Sequence, residues 1–172
     1  EGGSVISDLI YGTANPCGKL AESWPISYED CPSSAYYGKT KDALYREGIY
    51  VGYRCYDKAQ KAVRFPFGFG LSYTTFAYSD LAVTGNTAEV VVTNTGNRAG
   101  AEIAQLYIEA PQDGIHRPLR ELKGFQKVFL QPGESRQIAF KLDERAFAVW
   151  QNGWKVPAGE YTICVGSSSR DL

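Results

Sequence analysis

Hydrophobic and polar residues alternate along most of the chain after about residue 77. A period of two places successive side chains on opposite faces of a strand. Turn sequences rich in glycine, proline and asparagine separate the alternating segments, for example at residues 94–97, 131–133 and 157–159. The pattern predicts strands around Ala88, Val90 and Val92, over residues 101–110 and 120–130, around Ile138, Phe140 and Leu142, and around Tyr161, Ile163 and Val165.

Short strands at this spacing predict a mainly β fold for residues 77–172. The expected architecture is an antiparallel sandwich of the immunoglobulin or fibronectin III kind. The cysteines and tryptophans do not follow the Cys-Trp-Cys order that is typical of a true immunoglobulin domain. A fibronectin III-like sandwich is therefore favoured.

The first residues follow a helical period instead. The apolar residues that share one helical face are Val5, Ile6, Leu9 and Ile10. Gly12 is a candidate helix stop, and residues 19–24 are predicted to form a short strand that Pro25 ends. One helix and one strand cannot bury a core. We therefore expect residues 1–35 to be the last helix and strand of a larger α/β sandwich domain whose other elements precede Glu1.

Residues 36–76 show no sustained period. They contain two aromatic and glycine-rich runs, YREGIYVGYR at residues 45–54 and FPFGFGLSYTTF at residues 65–76. Gly68 and Gly70 flank a single aromatic residue, which suits a chain that bends sharply while it buries large rings. The sequence predicts an ordered connector that is clamped between two bodies.

The composition of the chain excludes some classes of binding partner. The 172 residues carry a formal net charge of −1, which gives no basic surface for nucleic acid. No apolar run approaches the roughly 18 residues of a membrane helix. The chain contains no methionine, so we expect it to be either a processed piece or a fragment of a longer reading frame.

Four cysteines, at positions 17, 31, 55 and 164, match no zinc-binding spacing. One interpretation is that all four are free, mostly buried thiols in a reducing compartment, and the other is that Cys17 pairs with Cys31. The first is favoured and predicts a cytoplasmic, bacterial location. Secretion stays open as the alternative location.

Three carboxylates are candidates for chemistry on a sugar, because glycoside hydrolysis uses two of them across the scissile bond. Glu47 and Asp57 lie in the connector, and Glu1 opens the chain. The favoured alternative is that Glu47 and Asp57 form ion pairs that fix the connector. The cations near them in sequence are Arg46, Arg54 and Lys58.

The other candidate side chains carry less weight. His116 is the only histidine, and it lies in a polar loop, where a surface role is the more frequent one. The aromatic residues Trp24, Tyr36, Tyr37 and Tyr45 could stack on sugar faces, but such residues more often form core or interface. No nucleophile elbow, phosphate loop or dinucleotide motif is present. The sequence therefore assigns no catalytic, cofactor-binding or metal-binding residue and implies no cofactor.

Several motifs, in this order along the chain, resemble the C-terminal part of bacterial family 3 glycoside hydrolases, the β-glucosidase group. The strongest are NPCGKL at residues 15–20, YREGIYVGYRCYD at residues 45–57, FPFGFGLSYTTF at residues 65–76 and RELKGF at residues 120–125. The resemblance spans essentially the whole chain. Cys17 stands where the family usually has serine, and Cys55 where it usually has an aromatic residue.

The resemblance implies an enzyme that retains anomeric configuration. The family uses an aspartate nucleophile in an N-terminal barrel and a glutamate acid/base in the middle α/β sandwich domain. Both would precede Glu1, and no position of this chain matches either motif. The resemblance thus implies that these residues form the end of the α/β sandwich domain, the connector and a fibronectin III-like domain that braces the other two.

The favoured hypothesis is that the chain is the C-terminal fragment of an enzyme of carbohydrate metabolism that hydrolyses terminal β-linked sugars. Its expected partners are the upstream barrel and α/β sandwich domains, together with a β-glucoside as substrate of the complete protein. One alternative is a standalone fibronectin III-like module that binds carbohydrate or protein. The helix and strand of residues 1–25 argue against it, because a self-contained module has no use for them. A further alternative is that the chain alone hydrolyses glycosides through Glu47 or Asp57.

Overall fold

The computed structural model of the protein describes residues 1–39 and 41–172. Regular elements before the sandwich are short. They are helix α1 (Gly2–Tyr11), strand β1 (Trp24–Pro25), a 3₁₀ turn (Tyr28–Asp30), helix α2 (Tyr53–Lys58) and strand β2 (Val63–Phe65). Helix α1 confirms the predicted first helix, and Gly12 ends it with a left-handed φ of 72°.

The remaining residues form the sandwich. Its strands are β3 (Phe76–Thr84), β4 (Thr87–Asn94), β5 (Gly100–Glu109), β6 (Arg120–Leu130), β7 (Ser135–Lys141), β8 (Val149–Trp150), β9 (Trp154–Lys155) and β10 (Thr162–Gly166), with a 3₁₀ turn at Glu144–Ala146. One antiparallel sheet has the order β3-β4-β7 and the other has the order β10-β5-β6. Apolar side chains from both sheets form one core. The predicted antiparallel sandwich is confirmed.

Strands β4 and β5 show how the pattern relates to burial. In β4 the alternation is strict, and Ala88, Val90 and Val92 are at most 2% exposed. In β5 almost every residue is buried. Leu106 belongs to the core, whereas Gln105 and Tyr107 on the opposite face contact the connector. Burial on both faces of β5 therefore shows where the connector packs.

The predicted strand over residues 19–24 is wrong. The observed strand β1 pairs with β2 of the connector, and Pro25 lies inside it instead of ending it. Leu20 exchanges backbone hydrogen bonds of 2.8 Å with Gly68 and Phe69, outside any strand. Proline is tolerated in β1 because this two-stranded pairing leaves one edge free. The connector partner that sets these contacts is more than 40 residues away, so local sequence could not indicate it.

Regular structure was also missed elsewhere. Helix α2 has 6 residues, too few to show a period. Strand β3 is mostly exposed and is interrupted near Asp80, whose φ is 55°, so it has no clear alternation. The β8–β9 hairpin has only 2 residues in each strand. The domain boundaries after residues 35 and 76 stay predictions.

The cysteines are free thiols, and all four are partly buried. The pairing of Cys17 with Cys31 is therefore not formed, and the expectation of mostly buried thiols was too strong. Burial raises the pKa of the Cys55 and Cys164 thiols above the ordinary value.

Candidate functional site

The C-terminal half of the connector, residues 52–76, is here called the clamp. Tyr53 anchors it, since its ring stacks on Phe67 with 4.8 Å between centroids and meets the edge of Tyr107 at 6.1 Å. The Tyr53 hydroxyl accepts a hydrogen bond of 2.8 Å from the backbone N–H of Leu122. Tyr53 is 8% exposed. Helix α2 is thereby fixed against strands β5 and β6.

Gly68 meets the sandwich at a position where no side chain fits. The Gln105 amide donates to the carbonyl oxygens of Gly68 at 3.1 Å and Ser167 at 2.6 Å, and Tyr107 donates to Gln105 Oε1 at 2.7 Å. Burial raises the pKa of the Tyr107 phenol well above its ordinary value, so this hydroxyl remains a donor. A Cβ on Gly68 would lie 2.0 Å from Gln105 Oε1, and φ at this residue is 81°.

Gly70 contacts the N-terminal segment, which is here residues 13–25, after helix α1. A Cβ there would lie 2.5 Å from the carbonyl oxygen of Gly18 and 2.7 Å from Cδ of Lys19. One glycine of the pair thus contacts the sandwich, and the other contacts the N-terminal segment. The predicted contact on two sides is therefore found at Gly68 and Gly70 of the second run, whereas Tyr45 of the first run is 95% exposed.

The N-terminal segment is itself bonded to the sandwich. Lys19 Nζ lies 2.7 Å from Glu102 Oε1, and both side chains are largely buried. Tyr78 donates to the same carboxylate oxygen at 2.9 Å. Asn15 donates to the carbonyl oxygen of Ala99 at 3.0 Å and accepts from the N–H of Tyr73 at 2.8 Å. Asn15 therefore joins three segments of the chain.

Asn94 links the clamp to the sandwich through side-chain hydrogen bonds. The sequence did not predict this role. It is fully buried at the end of β4. Its Oδ1 accepts from Thr74 at 2.7 Å, and its Nδ2 donates to the carbonyl oxygens of Arg98 at 2.7 Å and Leu130 at 3.1 Å. The sequence predicted Asn94 as part of a turn, and the one signal of its burial is that it continues the inward-facing series of Ala88, Val90 and Val92.

Asp57 has a structural role, as favoured, but with a different partner. Its carboxylate accepts from Arg170 Nε at 2.9 Å, and Arg170 also donates to the carbonyl oxygen of Lys61 at 2.8 Å. The predicted local partners are engaged elsewhere, with Arg54 at 3.1 Å from Glu121 and Lys58 at 2.5 Å from Gln112. Helix α2 lies across the sandwich, so its charged residues meet residues that are distant in sequence.

The other candidate carboxylates lie apart. Glu1 is exposed at the start of α1. Glu47 is partly buried and lines a cavity of about 490 Å³, and among the described residues that line this cavity neither Glu1 nor Asp57 occurs. The predicted ion pair of Glu47 with Arg46, Arg54 or Lys58 is wrong, because its carboxylate makes no hydrogen bond or ion pair with a described residue. It lies within electrostatic reach of α2, since its charge adds to burial in raising the pKa of Cys55. The structure does not bring these groups into one catalytic pair.

His116 is exposed, as expected, and packs on the connector. Its ring centroid lies 4.8 Å from that of Tyr50, and Nδ1 is 3.4 Å from the Tyr50 hydroxyl oxygen. The Tyr50 hydroxyl also donates to the carbonyl oxygen of Arg117 at 3.2 Å. Within residues 1–39 and 41–172, no group of three or more potential ligands could hold a metal ion.

The described residues leave large apolar side chains exposed at several places, including two surfaces that precede the sandwich. The first is the open helix face of α1, where Val5, Ile6, Ile10 and Tyr11 are 54% to 82% exposed and no residue of the helix is buried. The second is the aromatic loop, residues 33–51, whose exposed large side chains are Tyr36, Tyr37, Leu44, Tyr45, Ile49 and Val51. None of the helices in the described part of the chain has the length and apolarity that crossing a membrane requires. Contiguous apolar surface of this kind marks an interaction site.

Trp24, the remaining aromatic candidate, is 46% exposed in β1 and packs edge-on against Phe65 at 5.8 Å. In the aromatic loop the Arg46 guanidinium lies 4.2 Å from the centre of the Tyr36 ring. Tyr36, Tyr37 and Tyr45 all line the same cavity as Glu47. The loop aromatics therefore line a cavity and remain exposed to solvent, whereas Trp24 contacts the connector.

Comparison with protein families gives two matches. The sequence model of the Glycosyl hydrolase family 3 C-terminal domain matches residues 1–53. The model of the Fibronectin type III-like domain matches residues 102–169. The two matches occur in the order that the resemblance predicted.

Characterised relatives match along the whole chain. An exo-alpha-(1->6)-L-arabinopyranosidase of Bifidobacterium longum is 49% identical over 100% of this chain and 24% of its own length. Thermostable beta-glucosidase B of Acetivibrio thermocellus is 43% identical over 99% of this chain and 24% of its own length. The chain thus spans about a quarter of the length of these relatives.

Solved structures agree. A GH3 beta-glucosidase of Bifidobacterium adolescentis superposes with a TM-score of 0.90 at 51% identity, over 99% of this chain and 27% of that one. Beta-glucosidase 3B of Thermotoga neapolitana, in complex with glucose, gives a TM-score of 0.91 at 43% identity, over 97% of this chain and 25% of that one. Both the fold and the order of its parts are therefore shared with these enzymes.

Proposed function

We propose that this chain, which belongs to glycoside hydrolase family 3, is the structural C-terminal part of a β-glucosidase-type enzyme. It carries the C-terminal region of that family's architecture. The observation that carries the proposal is the contrast between its two kinds of surface. The clamp and the N-terminal segment are bonded to the sandwich, whereas the open helix face and the aromatic loop have apolar side chains in solvent. Such surfaces suit docking onto further domains of the same protein.

In this proposal the chain positions the catalytic domains, and those domains carry the catalytic residues. Retaining hydrolysis of a terminal β-linked sugar needs a nucleophile and an acid/base carboxylate about 5 Å apart. Asp57 is held by Arg170, and Glu47 lies in the aromatic loop, so neither is offered as one of that pair. The role of these residues is to fix the sandwich and the last helix and strand relative to the catalytic domains.

The test uses the complete gene product that contains this chain. We expect it to hydrolyse 4-nitrophenyl β-D-glucopyranoside with retention, which NMR of the first-formed anomer detects. The purified 172-residue chain should show no turnover. Turnover by that chain alone, abolished by Glu47→Gln or Asp57→Asn, would instead support the hypothesis that this chain hydrolyses glycosides by itself.

The structural role has its own test. Ile6→Asp combined with Ile10→Asp puts charge on the open helix face, where the two side chains are 60% and 74% exposed. In the complete protein we expect a lower melting temperature and lower activity, because the charges would be buried at the domain contact. The control is Val83→Asp on β3, whose side chain is 51% exposed on the sandwich. Equal behaviour of the two variants would contradict the docking role.

We also propose a cytoplasmic location, which the four free cysteines support. Fractionation of the source cells with an antibody against the sandwich tests it. Recovery of the protein outside the cytoplasm would overturn it.

A further inference from the structure

The β8–β9 hairpin carries a third exposed aromatic surface, separate from the open helix face and the aromatic loop. Trp150 is 65% exposed and Trp154 is 50% exposed, and their ring planes meet at 66° with 5.4 Å between centroids. Neither indole N–H donates a hydrogen bond to a described residue. Two exposed indoles with unused donors are uncommon on a sandwich loop, because tryptophan normally buries its ring and pairs its N–H.

Contacts at its tip and behind it hold the hairpin. The backbone N–H of Gln151 donates to the carbonyl oxygen of Gly153 at 2.8 Å across the tip. Behind it, Tyr161 donates to the carbonyl oxygen of Pro157 at 2.8 Å and packs edge-on against Phe147 at 5.3 Å, next to the core. The Arg145 guanidinium lies 3.1 Å from the centre of the Trp154 ring and covers it. A surface fixed in this way loses little entropy when a ligand binds.

A groove of about 390 Å³ adjoins Trp154. Its charged lining residues are Glu121, Lys123, Asp143 and Arg145. The two acids and two bases cancel, and Lys123 already lies 3.2 Å from Glu121. A groove without net charge does not favour a polyanion or a cation. Glu121 also pairs with Arg54, and Asp143 accepts from the backbone N–H of Ala146, so the groove offers polar groups with remaining hydrogen-bonding capacity to an uncharged ligand that carries hydroxyl groups.

We propose that the β8–β9 hairpin and this groove bind a neutral saccharide, with a sugar ring against Trp150 and sugar hydroxyls on the polar groups of the groove. A pyranose has an apolar C–H face that can lie on an indole and a rim of hydroxyls that pair with such groups. A protein partner fits less well, because the cores of protein interfaces are depleted in charged residues. The choice of β-linked glucose as the first ligand rests on the proposed function.

The test uses the full 172-residue chain. A Trp24→Phe background leaves Trp150 and Trp154 as the only tryptophans of the chain, and excitation at the red edge of their absorption keeps tyrosine emission out of the signal. Titration with cellotetraose and with laminaritetraose should give a saturable change in emission, and calorimetry should give the same association constant. Trp150→Ala should weaken binding about tenfold, equivalent to about 1.4 kcal/mol. Phe125→Ala, which removes another exposed aromatic ring of the sandwich, is the control and should bind as the parent does.

Other results would overturn the inference. One is the absence of any change with either oligosaccharide, and another is undiminished binding by Trp150→Ala. A third is that the hairpin tryptophans of the complete protein are shielded from acrylamide and respond to no sugar, which would assign the surface to another domain. Hydrolysis of the aryl glucoside by the complete protein tests the proposed function separately. Binding without turnover contradicts only that function, and turnover without binding contradicts only the saccharide site.

Discussion

The aromatic loop and the clamp, residues 33–51 and 52–76, have similar compositions and opposite environments. Both are rich in aromatic residues and glycine. Tyr45 of the loop is 95% exposed, whereas Tyr53 of the clamp is 8% exposed. The difference lies in the partner, because Tyr53 contacts Phe67, Tyr107 and Leu122. Composition indicates that a segment will be packed, but only the fold shows whether its partner lies in the same chain.

Gly68→Val should damage the clamp most. The new Cβ would lie 2.0 Å from Gln105 Oε1 at a φ of 81°. The change therefore adds backbone strain and displaces a side chain that makes one buried and one partly buried hydrogen bond. We expect a loss of about 4 kcal/mol in the free energy of unfolding, measured with urea.

Gly85→Val is the matched control for Gly68→Val. Gly85 also has a positive φ, 58°, but nothing lies within 4 Å of its Cβ position. It should lose only the strain of the left-handed conformation, about 1 to 2 kcal/mol. Equal losses in the two variants would mean that the contact with Gln105 contributes nothing.

Tyr53→Ala and Tyr45→Ala compare the two regions directly. Removing the buried Tyr53 ring should cost about 3 kcal/mol, since it leaves a cavity beside Phe67 and Tyr107. Removing the exposed Tyr45 ring should change the unfolding free energy of this chain by less than about 0.5 kcal/mol. In the complete protein the Tyr45 variant should be more harmful than in the chain alone. A Tyr45 effect as large as that of Tyr53 in the isolated chain would refute the assignment of the loop to an outside partner.

Lys19→Met tests how the N-terminal segment is held. It would leave the carboxylate of Glu102 in a site where that side chain is 7% exposed, with Tyr78 as its remaining partner. We expect a loss of about 2 kcal/mol in chemical denaturation. Lys19→Met combined with Glu102→Gln removes the uncompensated charge and should recover part of that loss. A double variant no more stable than the single one would argue against the ion pair as the cause.

Sequence could predict the parts of this molecule whose partners are close in sequence or whose pattern is long. Strands β4 and β6 were found because each shows its own period or runs between clear turns. The bend at Gly68 and Gly70 was found because two glycines around one aromatic ring are typical of a sharp bend. The sequence could not show that Asp57 meets Arg170, 113 residues away. Nor could it show that Asn94 bonds three segments, because such contacts depend on how the connector crosses the sandwich.

Asp30→Asn tests the ion pair just before the aromatic loop, between Asp30 and Lys61. Its effect on the free energy of unfolding should be the smallest of those predicted. The hydrogen bond from Lys61, and next that from the backbone of Ser27, lower the pKa of Asp30 below its ordinary value. A carboxyl group with a lowered pKa in the folded state stabilises that state above the ordinary pKa, and the contribution is lost as the pH falls through the folded value. Urea unfolding should therefore find the wild-type chain more stable than Asp30→Asn at pH 7, with the difference disappearing as the pH falls through the lowered pKa of Asp30. Because the pair lies at the surface, with side chains that are 43% and 25% exposed, salt should reduce the difference as well. A gap that stays constant from pH 7 to acid would show that Asp30 acts through shape and not through its charge.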